Sequence, residues 1–94
     1  MNRDQFVAEM KAKIDKWNAA IHEMEAEMHQ KAGEASAEYE RQLAEMKRLR
    51  DKGQQQLHEL RSESDAQFEK AAARMGKAWA DIAEGFSRAR SRLG

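Results

Sequence analysis

Apolar residues recur at Val7, Met10, Ile14, Trp17, Ile21, Met24 and Met28. This strict alternation of three and four is the a/d pattern of a coiled coil, sustained over three heptads. The same alternation returns at Phe68, Ala72, Met75, Trp79, Ile82, Phe86, Ala89 and Leu93. Between the two seams the frame slips by a residue across Ala32 to Tyr39. It then runs through Leu43, Met46, Arg50, Gly53, Leu57, Leu60 and Ser64, and slips again at Phe68. A slip in heptad phase marks a local change of supercoil or a turn. The second slip falls in "RSESDAQF", where Ser64 followed by Gln67 reads as a capping box and Asp65 suits the positive end of a new helix. The turn is therefore expected at Ser64. Gly53 follows the basic run "KRLRDK", as a C-terminal glycine would, but "QQQLHEL" after it offers no N-cap. A glycine inside a long helix costs about 1 kcal/mol relative to alanine and is tolerated, and Gly33, Gly76 and Gly85 read the same way. The pattern predicts an all-α chain, one coiled-coil domain over residues 1–94. It is expected to be a long antiparallel helical hairpin with helices of about 3–61 and 65–92, or one continuous long helix in an oligomer.

The predicted helices differ in length, roughly 85 to 90 Å against roughly 40 Å at 1.5 Å per residue. A short helix folded back on a long one leaves the seam from Val7 to Met28 without a partner inside the chain. A homo-oligomer or a protein partner is then expected to cover it. The expected interface is Val7, Met10, Ile14, Trp17, Ile21, Met24 and Met28 together with Phe68, Met75, Trp79, Ile82 and Phe86. In the continuous-helix alternative Trp17 would lie near Trp79 of a neighbouring copy. Charge favours antiparallel contact: residues 1–45 hold six basic and ten acidic groups, and residues 46–94 hold eleven and seven. Each exposed pair contributes only about 0.2–0.5 kcal/mol, but the asymmetry selects an orientation.

Composition narrows the class further. With 36% charged and 6% aromatic residues and a mean hydropathy of -1.00, a chain of this length supports at most a thin core. Proline is absent and the strong helix formers dominate throughout. The start "MNRDQFVAEMKAK" has no apolar h-region and no stretch is apolar enough to span a bilayer, so a cytoplasmic location is expected. The lack of cysteine excludes disulfides, thiolate zinc sites and cysteine nucleophiles.

Candidate chemistry concentrates in "IHEMEAEMHQ", residues 21–30, where His22, Glu25 and His29 are the candidate metal ligands. With Ile21 at a and Met24 at d, both histidines fall at b, facing solvent. Seven residues part them, roughly 10 Å along the helix, too far to share one ion unaided. The spacing is neither His-Glu-x-x-His nor Glu-x-x-His. The preferred reading is two solvated histidines beside a methionine-lined seam, with metal binding as an alternative function and no cofactor expected. Nothing in the pattern buries two carboxylates together, sets a base beside a serine or builds a phosphate loop, so no enzymatic activity is expected.

The tail "FSRARSRLG" clusters Arg88, Arg90 and Arg92. They either complement a helix dipole or contact an anionic lipid surface. The second helix, with Ala71, Ala78 and Ala83 flanking its seam, could lie on a membrane when its partner is absent. Nucleic-acid binding is not expected, because the chain is neutral overall and has no interleaved aromatic and basic stretch.

The segments "MNRDQFVAEMKAKIDKWNAAIHEMEAE", "AEYERQLAEMKRLRDKGQQQLHELR" and "FEKAAARMGKAWADIAEGFSRARSRL" resemble the small bacterial coiled-coil proteins labelled stress-response proteins, a group with cyanobacterial members. The most particular elements are "KIDKWNA" around Trp17 and "KAWADIAEGFSRARSR" around Trp79. The resemblance implies a cytoplasmic, non-enzymatic helical protein with a role in stress response. It brings no catalytic or cofactor residues.

Overall fold

The computed structural model describes residues 2–93, and all their regular structure is α-helical. Three helices of nearly equal length follow one another: α1 (Arg3–Met28), α2 (Glu34–Arg61) and α3 (Asp65–Ser91). They pack into a rod of 52 × 17 × 17 Å.

The second turn lies where the frame slip and Asp65 place it. α2 ends at Arg61 and α3 begins at Asp65, with Ser64 as the N-cap in extended conformation. The Ser64 hydroxyl makes no capping bond; its carbonyl accepts instead from the backbone N–H groups of Gln67 and Phe68 at 3.0 and 2.9 Å.

The first slip is a turn as well, and here the expectation is corrected. The helix expected over about 3–61 is two helices, parted at residues 29–33, and the continuous-helix alternative fails at the same place. Gly33 permits the turn. It adopts φ 62°, ψ -134°, a region that side chains with a Cβ rarely enter, and through it the chain reverses into α2. Glu34, in the first turn of α2, then complements the helix dipole.

The break removes the length mismatch. Because α1 is nearly as long as α2, α2 runs along its whole length, and most of the seam expected to need another chain is packed within this one. Met10, Ile14, Ile21 and Met24 are buried, with Ile21 only 1% exposed, and Val7, Trp17 and Met28 are partly covered. Phe68, Met75, Trp79, Ile82 and Phe86 are buried in the same core. α2, which packs against both neighbours, adds Tyr39, Leu43, Met46, Leu49, Leu57 and Leu60 to the core.

α2 runs antiparallel to α1, as the Glu27–Tyr39, Glu25–Lys47 and Asn18–Arg50 contacts require. It runs antiparallel to α3, with Leu49 beside Gly85 and Tyr39 beside Leu93. α1 and α3 are therefore parallel. They share one register, with Arg3 opposite Asp65, Phe6 opposite Phe68 and Trp17 opposite Trp79.

One polar residue ties the helices together at each end. Arg3 donates to the carbonyls of Arg61 and Glu63 at 2.8 and 2.9 Å and to Asp65 Oδ1 at 3.0 Å, and its guanidinium lies 4.8 Å from the Phe68 ring centroid. It so bonds the turn carbonyls left over at the end of α2. At the other end the Tyr39 hydroxyl donates to Glu27 Oε2 at 2.9 Å and lies 3.4 Å from the Leu93 carbonyl.

Candidate functional site

The boundary between α1 and α3 differs from the two that α2 makes. Backbone approach is close along α1–α2 and α2–α3, whereas α1 and α3 stand apart, joined by aromatic side chains. The Trp17 and Trp79 rings lie 5.1 Å apart, Trp17 stacks on Phe86 at 5.7 Å, and Phe6 meets Phe68 edge-on at 5.9 Å. Such pairs add to the area they bury, and their bulk holds the two helices apart.

Gly53 of α2 makes room for them. A Cβ there would sit 3.0 Å from Trp17 Cζ3 and 3.6 Å from Trp79 Cζ2. The residue that looks like a defect in a helix is the floor on which two indoles rest. The Trp79 indole N–H is buried without an acceptor.

Outside this junction lies an open groove of about 370 Å3. Phe6, Met10, Trp17 and Trp79 form its floor; Gly76, Ala80 and Ala83 of α3 form one wall, and Lys13 and Lys16 of α1 the other. Phe6 and Trp17 keep part of their surface in solvent. A groove with an aromatic floor, a wall of short side chains and two cations on its rim can bind an amphipathic partner.

The remaining expected site residues fall elsewhere. His22 and His29 are both exposed, and His22 Nδ1 lies 3.9 Å from Glu25 Oε1. The other oxygen of Glu25 faces Lys47 Nζ of α2 at 3.8 Å. Among the described residues, no three His, Asp or Glu side chains come together in a way that could hold a metal ion. Arg90 reaches Glu23 of α1 at 3.5 Å and so ties α3 to α1. Arg88 pairs with Glu84 at 3.2 Å. Arg88 and Arg92 also border a larger trough between α2 and α3, about 540 Å3, with Arg41, Arg48 and Lys52. Three of those five cations are matched by a carboxylate of their own helix: Arg41 by Glu38, Arg48 by Glu45 and Arg88 by Glu84. The Arg41 guanidinium, and after it the Gln42 amide, holds the Glu38 carboxyl below its usual range, and Arg48 does the same for Glu45.

No helix of the described residues is long and apolar enough to cross a membrane. In this fold the apolar face of α3 is turned toward α1 and α2.

The periodicity identifies Met10, Trp17 and Trp79 of the groove floor but not Phe6, and assigns them to contacts between chains. Lys13, Lys16 and the small wall of α3 carry no pattern of their own in the sequence, and only the in-register pairing of α1 with α3 brings them together. No protein-family profile matches the chain, and no curated protein or solved structure is significantly similar to it.

Proposed function

We propose that this chain is a non-enzymatic helical binding protein that acts by taking a helical partner into the groove between α1 and α3. One observation supports this above the rest: α1 and α3 are held apart by their own aromatic residues, and Phe6 and Trp17 remain part-exposed where the other aromatic residues, Tyr39, Phe68, Trp79 and Phe86, are buried. Covering such surface is favourable by about 25 cal/mol per Å2 before the costs of association. A stress-response role and a cytoplasmic location belong to the same reading through the sequence resemblance.

The test uses light scattering over a range of concentrations, with Trp emission recorded on adding amphipathic helical peptides. Either self-association or peptide binding, abolished by Ala80→Arg with helicity retained, is the expected result. A chain that stays monomeric and whose emission is unmoved by peptides of either charge would refute the reading.

A further inference from the structure

The inference concerns what fills the groove, and it rests on the binding reading above. Three features narrow the occupant. The first is topology. α1 and α3 are parallel and α2 antiparallel to both, so the position outside the α1–α3 boundary is that of the fourth helix in an up-down-up-down bundle. A helix there running opposite to α1 and α3 sets its dipole against theirs favourably. The stretch from Phe6 to Trp17 spans roughly 16 Å, about three helical turns.

The second feature is the α3 wall. Gly76 has no heavy atom within 4 Å of where its Cβ would be, and Ala80 and Ala83 continue the same exposed, short-chained face. A helix can approach this wall closely without displacing anything.

The third is charge. Among the described residues no carboxylate lies within 4.0 Å of the ammonium group of Lys13 or Lys16. Elsewhere in the bundle cations do find acceptors on the neighbouring helix: Lys47 meets Glu25 and Arg50 meets Asn18 between α1 and α2, and beyond the groove, toward the two ends of the α1–α3 boundary, Arg3 meets Asp65 and Arg90 meets Glu23. The groove has two cations on one wall and no charge on the part of the α3 wall formed by Gly76, Ala80 and Ala83.

We propose that the occupant is an acidic amphipathic helix of a partner protein, running antiparallel to α1 and α3. Its apolar stripe lies over Phe6, Trp17 and the α3 wall, and its Asp or Glu side chains face Lys13 and Lys16. A second copy of this chain fits less well. Its helices already bury their large apolar faces, so it could present only its own groove, with the same two lysines.

The experiment uses two labelled synthetic helices of about 18 residues, five turns, with the same apolar stripe, one flanked by Glu and the other by Lys. Binding to the full chain is followed by anisotropy at low salt, with Trp emission as a second readout. The Glu-flanked helix is expected to bind roughly tenfold tighter or better than its twin. The double variant Lys13→Glu, Lys16→Glu, at exposed positions that leave the fold intact, should reverse that order, and salt of about 0.5 M should shrink the difference. Equal binding of both helices, or no effect of the double variant, would overturn the acidic partner and leave the groove standing. Binding that Ala80→Arg does not weaken would remove the groove itself. A homodimer without peptide, abolished by Ala80→Arg, would show that a second copy is the occupant.

Discussion

The boundaries that α2 makes and the one between α1 and α3 are closed by different chemistry. α2 meets both neighbours through medium-sized aliphatic side chains such as Leu43, Met46, Leu57 and Leu60, with an ion pair and a polar contact to α1 at the edge. α1 and α3 meet through rings, with the Arg3–Asp65 and Arg90–Glu23 pairs toward the ends, and the rings keep the helices apart. Apolar side chains of different bulk thus produce two tight seams and one open one. Size at the contact point decides the outcome, since interaxial distance follows the side chains that fill it. Gly53 is what makes the open seam compatible with the tight ones, because it takes up on α2 the volume that the indoles occupy.

The comparison can be broken most severely at the indoles. Trp79→Ala is expected to cost about 3–5 kcal/mol in urea unfolding, while Trp17→Ala, at a part-exposed position, should cost distinctly less. Equal losses would mean that Trp17 is as much a core residue as Trp79 and that the groove is shallower than described. Next comes the glycine beneath them. Gly53→Val puts a branched side chain where a Cβ already lies 3.0 Å from Trp17, and a loss of about 1–3 kcal/mol with altered Trp emission should follow. An unchanged midpoint and spectrum would disconnect Gly53 from the indoles. Gly76 is the control within the same groove: Gly76→Ala meets nothing within 4 Å and should stabilise the chain by about 0.5–1 kcal/mol through helix propensity alone. A destabilised Gly76→Ala protein would show that α1 and α3 approach more closely than this.

The smallest effect is expected at the Tyr39 end. The Glu27 carboxylate accepting from the Tyr39 hydroxyl favours the neutral phenol and raises its pKa above the ordinary 10.0. A folded-state pKa raised above the unfolded value means stabilisation complete below about pH 10 and lost as pH climbs through the folded value. Thermal melts from pH 9 to 11 should show this alkaline loss in the parent chain and not in Tyr39→Phe. The same slope in both proteins would assign the loss to other groups.

Much of the fold was legible in the heptads. The alternation from Val7 to Met28 and from Phe68 to Leu93 names most of the core of α1 and α3, and Asp65 marks the start of α3. The break at Gly33 was not legible on the same terms. "HQKAGEASAEY" holds no Ser, Thr, Asp or Asn at the N-cap position, and a lone glycine costs too little to distinguish a turn from a tolerated helical position. The coincidence of Gly33 with the first frame slip was the available signal. Two slips divide the chain into three nearly equal lengths, and equal lengths can cover one another. The groove was less legible still, because Lys13, Lys16, Gly76 and Ala80 become neighbours only through the parallel pairing of α1 with α3. The meaning of Gly53 depends on the indoles stacked against it, which periodicity places on the seam without saying what they touch.

The in-register pairing of α1 with α3 has a kinetic consequence. Arg3 and Asp65 are 62 positions apart, and the same separation divides Phe6 from Phe68 and Trp17 from Trp79. Contacts across α1–α2 and α2–α3 form between neighbours joined by turns of a few residues. The chain-closure entropy of the ring contacts is offset only once both hairpins exist, so the aromatic floor is expected to assemble last during folding. By the same reasoning it is the part that opens first in the native state, so its helix faces should lose amide protection ahead of α2.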